Sequence, residues 1–383
     1  MSSSNWETHN PSGSKRVVVT KQLPGDHWLK VLTDANCKVE VGTSTDILSV
    51  DEIKEKIGDQ CDGVIGQLTE RWDDELFSAL KASGGKVYAN YAVGYNNVNV
   101  DDANKHGIPV GNTPGVLTET TAEMAVSLTF SAARRVAEAD VFMRAGSYKG
   151  WLPTLYLGEL MTGKTVGVIG AGRIGAAYAK MMVEGFKMNF VYYDIYQNKA
   201  LEEYLTAYAD FLKSQGLTPI SWRRCDAVED VLKEADVVSI HPVLDETTHH
   251  LMNEERLNLM KPNAILVNAS RGPVVDEVAL VNHLNKNPDF RTGLDVFEDE
   301  PAMKPGLEKC ANAVIVPHIA SATIWTRSGM ASLAAGNVAG ILNGYGCWQD
   351  QNDVLPFLEG GEAPKAAPSI VNRDELSLPA FSG

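Results

Sequence analysis

Short apolar runs alternate along this chain with stretches in which apolar residues recur every three to four positions. Such a pattern predicts strands interleaved with amphipathic helices, and hence an α/β protein built on parallel sheets. Residues 17–20, 38–41, 64–66, 86–89 and 108–110 read as a first set of strands, with helices near 28–34 and over 69–82. A long helix is expected over 118–145, opening on Thr120-Thr121-Ala122-Glu123. The pattern then restarts, with strands at 166–169, 188–193, 237–240, 264–267, 292–295 and 314–316. The stretch 200–222 is too long for an ordinary connection and carries Leu201, Leu205, Tyr208 and Leu212 at helical spacing, so it reads as an inserted helix. A second long helix is expected over 326–342. The Pro/Ala/Gly-rich tail beyond Asp350 is expected to run extended over the surface or to lack order.

One junction in the second set carries chemistry. The strand at 166–169 runs directly into Gly170, Gly172 and Gly175, with Arg173 and Ile174 opening a helix. Gly170 permits a tight turn, Gly172 lets the backbone approach a phosphate, and Gly175 lets the helix pack against the strand. The helix N-terminus adds N–H groups and positive dipole character, so the element suits a dinucleotide pyrophosphate. Asp194 follows the next strand, about 20 residues on, where a carboxylate accepts hydrogen bonds from the adenosine ribose and repels a 2′-phosphate. The expected cofactor is therefore NAD(H) rather than NADP(H).

Composition removes whole classes of function. A chain of 383 residues suits two domains, and a net charge of −15 argues against nucleic acid as a partner. No apolar run reaches the length of a membrane span. The five cysteines are scattered without a C-x-x-C, as free thiols in a reducing compartment would be. His249-His250 lacks a third ligand at useful spacing, so no metal is expected.

Three polar residues terminate consecutive strands of the second set: Arg271, Glu300 and His318. Strand carboxyl ends of a doubly wound sheet face one crevice, so the three are expected to meet beside a nicotinamide. A guanidinium grips a carboxylate through a rigid fork of donors, and an imidazolium donates a proton to a developing alkoxide. A carboxylate beside an imidazole fixes its orientation and favours its charged form. The combination predicts catalysis on a small 2-keto or 2-hydroxy acid.

The chain resembles the D-isomer-specific 2-hydroxyacid dehydrogenase family, and within it the NADH-dependent hydroxypyruvate reductases of plants and algae. The resemblance spans residues 16–372. It rests on 61–69 (CDGVIGQLT), 92–97 (AVGYNN), 111–123 (GNTPGVLTETTAE), the glycine fingerprint, 270–273 (SRGP) and 317–321 (PHIAS). It implies two doubly wound, Rossmann-like domains, with a cofactor domain over 121–325 inserted into a flavodoxin-like substrate domain formed by 1–120 and 326–383. It implies an Arg271 substrate clamp and a His318–Glu300 proton donor pair. Val93 and Gly94 would hold the substrate carboxylate through backbone N–H groups, and Ser321 would line the pocket. Thr121, Ala269 and Asp295 would border the nicotinamide, and His241 and Pro242 the adenine. Trp151 would reach toward a neighbouring subunit's cleft in a homodimer. The implied activity is NADH-dependent reduction of hydroxypyruvate to D-glycerate, with glyoxylate as a further substrate and domain closure excluding water. The alternatives are glyoxylate reductase, another D-2-hydroxyacid dehydrogenase, or a dinucleotide-sensing corepressor. The terminal Phe-Ser-Gly stands where peroxisomal members carry a Ser-Lys-Leu type signal, so the cytosol or another organelle such as the mitochondrion is expected.

Overall fold

The computed structural model describes residues 5–350, 353–358 and 363–382. They fall into two units, one made of the chain before Thr118 together with the chain from Ala322 onward, the other running from Thr118 to Ser321.

The first unit carries β1 (Trp6–His9), β2 (Lys15–Val19), β3 (Cys37–Gly42), β4 (Gly63–Gly66), β5 (Val87–Asn90) and β6 (Val110–Gly111), in the order β1-β3-β2-β4-β5-β6. From β3 to β6 all pairings are parallel and follow the flavodoxin-like order, while β1, which the periodicity did not announce, is antiparallel on β3. Side chains alternate between faces, as a strand requires. Val17, Val19 and Val39 pack with Trp28, Leu32, Ala331, Ala334, Ala335 and Val338 from helices His27–Asp34 and Ile324–Leu342. Val18, Val64 and Tyr88 point the other way, onto Ile53, Leu76 and Phe77.

On β3, Glu40 is buried and takes Arg16 Nη2 at 2.8 Å, Lys38 Nζ at 2.8 Å and Lys56 Nζ at 2.6 Å. Burial acts to raise its pKa, but the three cations outweigh it and hold the carboxyl far below the usual 4.5. A carboxyl depressed on folding stabilises the fold above its unfolded pKa and loses that contribution as pH falls toward the folded value. The Tm difference between wild type and Glu40→Gln is therefore expected to be largest near pH 7 and to shrink below about pH 4. A difference that stays constant with pH would refute the assignment.

The second unit holds β7 (Thr165–Ile169), β8 (Asn189–Tyr193), β9 (Trp222–Arg224), β10 (Val237–Ile240), β11 (Ile265–Asn268), β12 (Arg291–Leu294) and β13 (Ala313–Ile315). Their order is β13-β12-β11-β10-β7-β8-β9, all parallel, so strand order reverses between β7 and β10. That is the doubly wound arrangement that binds ligands at the reversal point. Val166, Val168, Phe190 and Val267 pack under helices Thr118–Ala133 and Arg173–Phe186. Ile169, Val191, Val238 and Leu266 face the opposite layer. The predicted inserted helix is present as Lys199–Ser214, and the chain returns from it as the edge strand β9. No described helix is long and apolar enough to cross a membrane.

Two expectations are corrected. The region 118–145 is two helices, Thr118–Ala133 and Val136–Arg144, with Arg135 between them at φ +56°. The cause lies about 25 residues away in sequence, where the Glu159 N–H donates to the Ala133 carbonyl at 2.9 Å and so takes the oxygen the next helical turn would use. The tail is also neither extended over the surface nor without order in its described part. Residues Ala366–Ala367 (β15) pair in parallel with Gly346–Cys347 (β14). Asn372 is fully buried, accepting the Val110 N–H at 2.8 Å and donating to Ile108 O at 3.0 Å. Ser369 and Asn372, inside this Pro/Ala/Gly-rich stretch, are buried and serve as internal hydrogen-bond partners. Residues 351–352, 359–362 and 383 of that tail lie outside the described residues.

Candidate active site

The glycine turn sits at the reversal point of the second sheet. Gly170 has φ +90°, and a Cβ there would stand 2.7 Å from the His241 carbonyl carbon and the Pro242 nitrogen at the end of β10. A Cβ on Gly175 would fall 2.1 Å from Gly170 O, so this glycine permits the close contact of helix and turn. Gly172 differs: a Cβ there would meet nothing within 4 Å, and as the N-cap it has no side chain to engage the first-turn N–H groups. The turn is closed behind and open in front, which fits a pyrophosphate against the helix N-terminus. Asp194 follows β8, and its Oδ1 accepts the Tyr196 N–H at 2.8 Å.

His241 packs its ring against Tyr178 at 5.6 Å between centroids and pairs Nε2 with Ser239 Oγ at 2.8 Å. Burial pushes its pKa down to about 4, so the imidazole is neutral at physiological pH. Thr121 and Ala269 are buried in the same unit, while Pro242 is half-buried.

Arg271, Glu300 and His318 follow β11, β12 and β13. Gly272 lies so close to the loop after β12 that a Cβ would stand 1.8 Å from Phe297 O, which brings the Arg271 loop against the one bearing Glu300. Arg271 Nη1 donates to Ser270 O at 2.7 Å. Burial lowers the guanidinium pKa and the Glu300 charge opposes that shift, leaving it cationic under any ordinary condition. Glu300 Oε1 accepts the Phe297 N–H at 2.9 Å, and Oε2 meets His318 Nδ1 at 2.9 Å. Burial acts to raise the Glu300 pKa, but the bond and charge of His318, the Phe297 N–H and the Arg271 charge together leave it lowered.

His318 has φ +50°, a conformation that a non-glycine residue holds only when its surroundings enforce it. Here they do. The His318 N–H is shared between Asp295 O at 2.8 Å and Val316 O at 3.1 Å. The Asp295 carboxylate accepts the next two N–H groups, from Ile319 at 2.6 Å and Ala320 at 3.0 Å. Sequence reasoning gave Asp295 only a place near the nicotinamide and missed this clamp, because nothing in the sequence signals a left-handed histidine. In Asp295→Asn one of the two N–H groups faces an amide donor, and the expected result is a loss of about 1–3 kcal/mol of stability together with reduced turnover. Wild-type turnover with a wild-type melt would remove the clamp.

In the first unit, Asn112 Nδ2 holds Val93 O at 2.9 Å and Asn90 Nδ2 holds Gly94 O at 3.1 Å. Because a trans peptide sets C=O and N–H on opposite sides, the N–H groups of Gly94 and Tyr95 are directed away from those amides. Ser321 is part-buried at the last position of the second unit. Trp151 is 78% exposed, with Leu152, Leu157 and Leu160 also exposed along the same stretch.

The family model for the NAD binding domain of D-isomer specific 2-hydroxyacid dehydrogenases matches residues 126–320. A glycerate dehydrogenase from Arabidopsis thaliana is 62% identical over 97% of this chain and 97% of its own. The chain belongs to the D-isomer specific 2-hydroxyacid dehydrogenase family. A glyoxylate reductase from Thermococcus litoralis is 40% identical over 94% of this chain and 98% of its own. A crystal structure of a protein from Thermus thermophilus covers 86% of this chain and 97% of its own, with a TM-score of 0.75 and 38% identity. The protein is thus an NAD-dependent dehydrogenase, and the open face of Gly172 fits the cofactor its family binds.

Proposed function

We propose that this dehydrogenase reduces hydroxypyruvate to D-glycerate with NADH, and glyoxylate more slowly. The observation that carries the reading is the His318 Nδ1–Glu300 Oε2 contact of 2.9 Å on a loop packed against that of Arg271. NADH, when bound, supplies the hydride that reduces the keto carbon. Arg271 grips the substrate carboxylate through its fork of donors. Glu300 occupies Nδ1, so the proton delivered to the former carbonyl oxygen leaves His318 from Nε2. Asp194 disfavours a 2′-phosphate by charge. The names of the Arabidopsis and Thermococcus relatives support hydroxypyruvate and glyoxylate as the pair of substrates.

A steady-state panel of hydroxypyruvate, glyoxylate, pyruvate and phosphohydroxypyruvate, each with NADH and NADPH, tests this. The highest kcat/KM is expected for hydroxypyruvate with NADH, and a value at least about tenfold lower with NADPH. Preference for pyruvate or a phosphorylated acid would displace the reading, and binding of NADH without turnover of any acid would favour a sensor. The exposed apolar stretch around Trp151 supports a homodimer, which sedimentation equilibrium checks; a monomer would withdraw it. Five buried, unpaired cysteines support a reducing compartment, the cytosol or an organelle.

A further inference from the structure

The chain that leaves Asp194 comes back to the glycine turn before it enters the inserted helix. Asn198 is the N-cap of Lys199–Ser214, its Oδ1 accepting the Leu201 N–H at 3.0 Å. The same side chain uses its amide in another direction, donating from Nδ2 to the Ala171 carbonyl at 2.7 Å. Ala171 lies between Gly170 and Gly172, at the centre of the phosphate turn. Asn198 is itself held in place. Its N–H donates to Tyr192 Oη at 3.3 Å, and that hydroxyl donates to Glu202 Oε1 at 2.6 Å. Glu202 Oε2 in turn accepts Gln197 Nε2 at 2.6 Å. Beyond the inserted helix, Arg224 of β9 donates to Asp194 O at 2.9 Å.

A trans peptide unit is planar, with its oxygen and its N–H on opposite sides. Holding the Ala171 oxygen toward Asn198 therefore directs the Gly172 N–H away from the inserted helix. Gly172 borders open space, and a turn with glycine on either side of Ala171 has little intrinsic preference for one orientation of that plane.

We propose that Asn198 is a positioning residue for NADH: through the Ala171 carbonyl it sets the peptide plane that presents the Gly172 N–H to the pyrophosphate, making the inserted helix a brace of the cofactor site. The proposal rests on the family's NAD binding and not on the choice of substrate. It separates two functions of one side chain, capping and tethering, and substitutions separate them too. In Asn198→Ser the hydroxyl still caps the helix but is too short to serve the Ala171 carbonyl as well. In Asn198→Ala both functions are lost.

NADH is titrated into the full-length protein and binding is followed by calorimetry, alongside thermal melts and steady-state rates. Asn198→Ser is expected to raise the NADH Kd about 3- to 10-fold, the range spanned by one net hydrogen bond. Its Tm should stay near wild type and its kcat at saturating NADH should be unchanged. Asn198→Ala should show the same rise in Kd and a lower Tm. A wild-type Kd in the serine variant overturns the proposal, as does a weakening of NADH binding that appears only in the alanine variant and tracks its Tm. Titrating the wild-type protein in the same series distinguishes failure of the brace from failure of cofactor binding itself.

Discussion

Replacing His318 with alanine is expected to lower kcat by about 10²- to 10⁴-fold, the usual contribution of a positioned general acid. NADH affinity should be nearly unchanged, because the glycine turn follows β7 whereas His318 follows β13. The substitution alone leaves one ambiguity, since φ +50° at position 318 is unfavourable for alanine and the loop could shift. His318→Asn resolves it. Asparagine adopts the left-handed region more readily, so the Ile319 and Ala320 bonds to Asp295 should persist, while no group of suitable acidity remains. Both variants should therefore lose turnover, with single-turnover hydride transfer slowed to the same extent. Turnover within a few-fold of wild type in the asparagine variant would end the assignment of His318 as proton donor.

The second large effect is expected at Arg271. A lysine there keeps the formal charge but replaces a planar fork with a point charge on a flexible stem. Losing one charge-assisted hydrogen bond to a carboxylate corresponds to a fall of about 10- to 100-fold in kcat/KM for the keto acid, carried mainly by KM. Burial adds a second consequence. It already lowers the Arg271 pKa, which a guanidinium tolerates because it starts far above any ordinary working pH. A lysine starts lower, and burial pushes an ammonium further down, so Arg271→Lys should lose substrate affinity as pH rises toward about 9 while the wild type does not. KM for the acid, measured for both proteins across about pH 6–9, checks this. Wild-type KM values in the lysine variant would remove Arg271 from substrate recognition.

What the sequence made legible follows from the range over which each signal acts. The glycine turn and the strands around it could be read because their constraints are local: a left-handed φ at Gly170, alternating faces along β7, and a run of apolar residues in each buried strand. Arg271, Glu300 and His318 stood out because each follows a readable strand. The misreadings all involve partners distant in sequence. The helix break at Arg135 is set by Glu159, the packing of the tail by Val110 and Ile108, and the left-handed His318 by Asp295. Asn198 combines both cases: a capping asparagine before a helical run has a local signature, whereas its bond to Ala171 has none.

The interleaving of the two units has a consequence for how the polypeptide is made. Helix Ile324–Leu342 contributes Ala331, Ala334, Ala335 and Val338 to the core around Val17, Trp28 and Val39, yet the ribosome adds it only after the whole of Thr118–Ser321. At about 5–20 residues per second, the nascent strands β2 to β6 wait roughly 10–40 s for the helix that covers one of their faces. The cofactor-binding unit is contiguous and has no such delay, so it is expected to fold first, while its host still lacks one wall of its core.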